Sequence, residues 1–251
     1  MDKFVKKNLI DKKREEEVRA HKDEFADFEG TKSELYFLKF SHFFVRNRRN
    51  VFLGIGAVVI VLAAVIGYFE YSDYRFQKET VVLEDLQSKA KKANLTPEKQ
   101  IAELETFLKD QSTGRMELRV WKDLSRLYAE KGDFTKAAEY IELAGKKIDT
   151  PKEIKAYYFY IAGNYRDQVS DSKKALENYK IASTLLETSR EINQFKAWAF
   201  YHTARLQFQN GDKVGAKTNL EKVLKIDGTT ADSLEDVKLL ASYLLLKIGK
   251  S

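Results

Sequence analysis

An apolar run, V-F-L-G-I-G-A-V-V-I-V-L-A-A-V-I-G-Y-F from Val51 to Phe69, puts nineteen consecutive residues without a charge into this chain. A helix rising about 1.5 Å per residue crosses a hydrocarbon core of about 30 Å in roughly 20 residues. A core helix of a soluble protein interposes polar residues at helical spacing, and this run has none. A secretory signal begins close to the first methionine and ends in small residues at a cleavage site. This run starts at residue 51 and ends in Gly67-Tyr68-Phe69-Glu70. Residues 51–69 are therefore expected to form a retained transmembrane helix. Tyr68, Phe69 and Tyr71 supply an aromatic belt at one end, and Phe43, Phe44 and Phe52 sit near the other.

Flanking cations predict the direction of the span. Lys32, Lys39, Arg46, Arg48 and Arg49 precede it, opposed between Thr31 and Asn50 by Glu34 alone, whereas Arg75 and Lys78 beyond it are interleaved with Glu70, Asp73 and Glu79. An excess of Lys and Arg holds a flank in the cytoplasm. Arg46, Arg48 and Arg49 thus read as topology-determining, with the N-terminus cytoplasmic and residues 70–251 on the far side. Residues 1–50 form a charged cytoplasmic segment. Up to Gly30 it alternates blocks such as Lys12-Lys13-Arg14 and Glu15-Glu16-Glu17, as an exposed helix or mobile tail does. From Ser33 onward, Leu35, Phe37, Leu38, Phe40, Phe43 and Phe44 gather around Lys39 and Arg46. That suits a helix lying on the inner membrane surface, or equally an N-terminal extension of the span.

Beyond the span, few alternating β-branched runs occur and only two prolines, so an all-α domain is expected. The net charge of +6 is spread evenly, with thirty-one Lys/Arg against twenty-eight Asp/Glu in residues 70–251, and no nucleic-acid-binding signature is present. Three segments share an alanine followed at +4 and +7 by apolar residues: Ala137/Ile141/Ala144, Ala175/Tyr179/Ala182 and Ala216/Leu220/Val223. Gly132-Asp133 and Gly211-Asp212 precede the first and third. Upstream of each alanine a helix carries a large residue and then a large–small pair. These are Trp121, Leu124-Ser125 and Tyr128; Tyr158, Ile161-Ala162 and Tyr165; and Phe200 and Thr203-Ala204, with Gln207 where an aromatic is expected.

These positions resemble the tetratricopeptide repeat, a 34-residue helix–turn–helix whose small residues let helix backbones approach. Residues 118–151 fit its frame without gaps. The second and third copies depart from it: Tyr165 to Ala175 is one residue too long, the alanines fall 38 and 41 residues apart, and extra residues around Leu186–Asn193 are expected to lengthen a helix. Thr150-Pro151-Lys152-Glu153 reads as a capping threonine with proline at the first helical position. Thr96-Pro97 starts a helix with Ile101, Leu104 and Leu108, which pairs with Val82, Leu86 and Ala90 as a degenerate repeat. After Asp227-Gly228, residues Leu234, Val237, Leu240, Tyr243 and Leu244 form the apolar face of a capping helix. The expected architecture is all-α: 1–50 charged segment, 51–69 transmembrane helix, 70–117 connecting helix pair, 118–230 tetratricopeptide-like repeats forming an α-solenoid, and 231–251 capping helix.

Catalytic chemistry is not visible. The chain has no cysteine, which removes disulfides, thiol catalysis and cysteine-based zinc sites. His21, His42 and His202 are too separated for a metal or catalytic constellation, and neither a phosphate-binding glycine loop nor a nucleophile elbow occurs. His202 is expected on a helix surface or in packing. No enzyme activity, metal, cofactor or small-molecule substrate is expected. In tetratricopeptide arrays the first helix of each pair lines a concave groove, which here places Arg119, Lys122 and Arg126, then Phe159 and Arg166, then Trp198, Tyr201, Arg205 and Phe208 along it. A basic, aromatic-studded groove can hold a peptide segment. The alternative is that the arginines are solvated and the aromatics pack between helices. Arg126 and Gly163 fall where a clamp for chaperone C-termini needs asparagines.

The layout, together with F-x-x-F-F-x-x-N from Phe40 to Asn47 running into Val51–Tyr68, resembles the YfgM-type ancillary subunit of the bacterial SecYEG translocon. That resemblance implies a single-pass inner-membrane protein with a periplasmic repeat domain, contacting the Sec translocon, periplasmic chaperones and exported chains. A structural scaffold of a cell-envelope complex and a cytoplasm-facing anchored repeat receptor are the alternatives.

Overall fold

The computed structural model describes residues 29–111, 113–189, 192–226 and 234–250. Nearly all of the charged stretch before Gly30, and the Asp227-Gly228 turn, lie outside them. Every regular element among the described residues is an α-helix: α1 Lys32–Arg46, α2 Arg48–Lys92, α3 Pro97–Gln111, α4 Gly114–Glu130, α5 Phe134–Lys147, α6 Lys152–Gln168, α7 Ser172–Leu186, α8 Asn193–Gln209, α9 Lys213–Leu224 and α10 Glu235–Lys250. The chain divides into two units, Met1–Tyr71 and Ser72–Ser251.

In the first unit α1 opens with a capping box. The Glu34 amide donates to the Thr31 hydroxyl at 3.4 Å, and the Thr31 amide donates to the Glu34 carboxylate at 2.9 Å. At its other end Asn47 leaves helical geometry (φ −109°, ψ 21°) while its amide still donates to the Phe43 carbonyl. One residue therefore separates α1 from α2, so α1 is a helix of its own. Val51–Phe69 lies entirely within α2, which is the one helix among the described residues long and apolar enough to cross a membrane. Its apolar window is unburied, with a mean hydropathy of 2.7.

The second unit is built of hairpins. The C-terminal part of α2 packs on α3 and α4 through Leu83, Ile101, Leu104, Phe107, Met116, Val120 and Leu124. The N-terminus of α4, where Thr113 makes no side-chain cap, is capped from outside. Buried Glu79 accepts from the Thr113 amide and hydroxyl, both at 2.7 Å, and from Arg75 at 3.0 Å. Burial alone pushes that carboxyl up, but these donors outweigh it and hold it below the usual range. Pro97 begins α3 as expected, whereas Pro151 has extended backbone (ψ 147°) and is itself the cap residue of α6, so the reading of Thr150 as cap and Pro151 as first helical residue does not hold.

Three hairpins, α4–α5, α6–α7 and α8–α9, follow with one turn chemistry, giving a tetratricopeptide-like all-helical array. Gly132 and Gly211 have φ +84°, and Ser170 takes the same place at φ +61°. In each turn the next residue is aspartate, whose amide donates back to the first helix: Asp133 to the Tyr128 carbonyl, Asp171 to Arg166 and Asp212 to Gln207, at 2.8–2.9 Å. The same aspartates cap the second helix by accepting from the amides of Lys136, Lys174 and Gly215. Serine meets a steric penalty in left-handed backbone that glycine does not. Ser170→Gly is expected to raise stability by about 0.5–1 kcal/mol, and Gly132→Ala to lower it by about 1 kcal/mol. Thermal unfolding followed by circular dichroism reads both.

These turns correct the frame of the second repeat. Tyr128, Arg166 and Gln207 are equivalent because each accepts the same backbone bond, so Phe159, Ala162, Gly163 and Arg166 occupy the places that Trp121, Leu124, Ser125 and Tyr128 hold in the first repeat. Tyr158, Ile161-Ala162 and Tyr165 are one residue out of register. No residue is inserted within the hairpin, and the extra ones lie in the connections, as between Leu186 and Asn193, where they do not lengthen a helix. Packing agrees: a Cβ on Gly163 would meet the Tyr179 ring at 2.8 Å, so only glycine admits that ring.

Candidate protein-binding face

The frame sets which side chains the first helices α4, α6 and α8 present on their common face. On α4 they are Arg119, Lys122 and Arg126, and on α8 Trp198, Tyr201, Arg205 and Phe208, as read from the sequence. On α6 they are Tyr157, Tyr160, Asn164 and Asp167. Phe159 and Arg166 point elsewhere. Phe159 is 4 % exposed and packs with Ala156, Ala182, Leu186 and Ala199. Arg166 is 3 % exposed and clamps Glu142 of α5, Nε to Oε1 at 3.0 Å and Nη2 to Oε2 at 3.3 Å, while Asn178 donates to the same carboxylate at 2.8 Å. A one-residue slip turns a helical side chain by about 100°, which carries both from the open face into the packing layer.

The cations that remain on the face are largely matched. Arg119 lies 3.6 Å from Glu84, Arg126 pairs with Glu130 at 2.5 Å, and Arg205 pairs with Asp167. Lys122 is exposed. The face is therefore not a strongly positive channel. Beside Arg126 a cleft of about 440 Å³ opens among α2, α3 and α4, with Leu86, Ala90, Leu104 and Leu127 among its apolar lining and Gln87, Glu103, Asp123 and Arg126 among its polar lining. Burial raises the Asp123 carboxyl even though Lys122, Arg126 and Arg119 oppose the shift, and Gln87 donates to it at 2.7 Å.

At the other end, aromatic rings from α6, α7 and α8 gather around His202. Its ring stacks on Tyr179 (5.0 Å between centroids, 15°) and on Trp198 (5.7 Å, 27°), and meets Tyr160 and Tyr201 edge-on. His202 Nδ1 is buried without a hydrogen-bond partner among the described residues. Burial, and then the nearby Arg205, lower its pKa to about 4. The Tyr179 phenol donates to Asn164 at 2.6 Å, and Phe195 fills the space against Tyr157 and Tyr160. Trp198, Tyr201 and Phe208 are half-buried against a cluster that includes residues of α9 and α10. Of the two places expected for His202, a helix surface or packing, it takes the second. Tyr157, Tyr160, Asn164 and Asp167 are not evident from the sequence frame. The Ser170-Asp171 pair, five and four residues before Ala175, is the signal that could have found them.

No protein-family model and no curated protein matches this sequence. Among solved structures, the crystal structure of PcrH in complex with the chaperone binding region of PopD is similar at 18 % identity and a TM-score of 0.42, over 53 % of this chain and 91 % of that one.

Proposed function

We propose that this chain is a membrane-anchored adaptor that binds other proteins through the common face of α4, α6 and α8, without performing chemistry on them. The observation that carries the reading is that face itself. It offers Tyr157, half exposed, with Tyr160, Trp198 and Tyr201 beside it and an apolar-floored cleft at its other end, on a scaffold of rigid hairpins. Rings of this kind supply large contact area at low entropic cost. Val51–Phe69 anchors the chain in the bacterial inner membrane, and the cations Arg46, Arg48 and Arg49 before it favour a periplasmic repeat domain. In that place its partners are the Sec translocon, periplasmic chaperones and exported chains.

A photo-cross-linker at Trp198 or Arg126 is expected to trap translocon subunits or chains in transit. Trapping of one fixed envelope complex alone would overturn the export reading in favour of a scaffold. Tyr157→Ala is expected to weaken capture about tenfold while lowering stability by about 1 kcal/mol, the loss of its contact with Phe195. Protease added to spheroplasts should digest residues 70–251, and full protection would overturn the proposed topology.

A further inference from the structure

The last helix is apolar on two opposite sides. Leu234, Val237, Ala241 and Leu244 are buried against α8 and α9, whereas Leu240 and Tyr243, expected on that inner face, point outward. Leu239, Tyr243 and Leu246 are 71 %, 67 % and 66 % exposed, and their spacing of four and three residues lays them in one stripe with Leu240 beside it. A repeat array ends in a helix whose outer face is polar, because nothing follows to cover it. Here the outer face carries Leu239, Tyr243 and Leu246 instead.

Charge identifies what covers it. Asp236, one turn before Leu239, and Lys250, one turn after Leu246, extend the same stripe at its two ends. Both are exposed, and neither has an ion-pair partner among the described residues. The ammonium of Lys247 lies over the Phe208 ring of its own chain. The stripe is thus acidic at its start, apolar in its middle and basic at its end, which makes it complementary to itself when two helices run antiparallel. We infer that α10 is an isologous dimer interface between two copies of this chain. A two-fold axis passes at Tyr243, Leu239 and Leu240 of each copy meet Leu246 of the other, and Asp236 of each faces Lys250 of the other. Anchoring both copies in one membrane confines them and favours so small a contact.

The absence of cysteine makes the test clean. Tyr243→Cys in the full chain, in membranes treated with an added thiol oxidant, is expected to give a disulfide-linked dimer, because each thiol meets its own copy at the axis. Lys217→Cys on exposed α9 should give none. In the Tyr243→Cys background, Asp236→Lys or Lys250→Asp alone puts like charges at both ends of the contact and should lower dimer yield about tenfold. The two together restore the pairing and should restore the yield. Leu239→Glu with Leu246→Glu should abolish the dimer while circular dichroism shows unchanged helix content. A Tyr243→Cys chain that stays monomeric, that links only to a different protein, or whose doubly swapped form is no better than the single swaps overturns the inference.

Discussion

Arg166→Met is expected to lower the stability of the repeat domain by about 3–5 kcal/mol, because removing one partner of a buried pair strands the other. Glu142 would keep only the Asn178 amide, at 2.8 Å, of the donors that now hold it. Because Glu142 retains some solvent contact, 17 % of its side chain, the loss should fall towards the lower end of that range. Adding Glu142→Leu should recover part of it, since it removes the stranded carboxylate but leaves the buried Asn178 amide without its acceptor. Urea unfolding of the full chain in detergent, followed by circular dichroism, measures both. The result also discriminates between frames. An arginine on an open groove would cost about 0.5 kcal/mol or less on truncation and would instead weaken partner capture.

The second large effect is a dependence on pH. Folded His202 stays neutral until pH falls to about 4, whereas the unfolded residue takes up its proton near its ordinary value of 6.5. Between those values the unfolded chain binds more protons, so stability rises with pH through that window. The stabilisation is complete above about 6.5 and is lost as pH falls towards 4. A depression of this size corresponds to about 3 kcal/mol, in a ring stacked between Tyr179 and Trp198 with Arg205 nearby. His202→Phe fills the same slot with an uncharged ring. The stability of the variant between about pH 7 and 4 should therefore decline by about 3 kcal/mol less than that of the parent. Carboxylates such as Glu79 titrate alike in both proteins, so the difference between the two curves isolates His202. Parallel curves would mean that the ring takes up its proton without cost.

Much of the architecture was legible because it is written in local chemistry. An uninterrupted apolar run has few physical meanings. Glycine before aspartate marks a turn whose backbone other residues adopt only under strain, and an alanine followed by apolar residues at +4 and +7 marks a helix face close to another backbone. These signals depend on residues near one another in sequence, and they predict the helical hairpins of the second unit. They did not predict the register of the second repeat. Tyr158/Ile161-Ala162/Tyr165 and Phe159/Ala162-Gly163/Arg166 present nearly the same succession of large and small residues, one position apart. The choice is made across helices, by the Tyr179 ring that needs the space at Gly163 and by Glu142, which needs the charge of Arg166.

The last helix divides in the same way. Its residues dictate an apolar helix with acid at its start and base at its end. With apolar residues nearly all round, periodicity could not say which of them face inward. Packing against α8 and α9 decided that, because Val237, Ala241 and Leu244 fit the space those helices leave, and Leu239, Tyr243 and Leu246 were turned to the outside. The helices and the glycine-bearing turns at Gly132 and Gly211 could be read along the chain, since both follow from interactions between near neighbours. Which faces α6 and α10 show emerged only in three dimensions, since that follows from the shape of the space that distant neighbours leave.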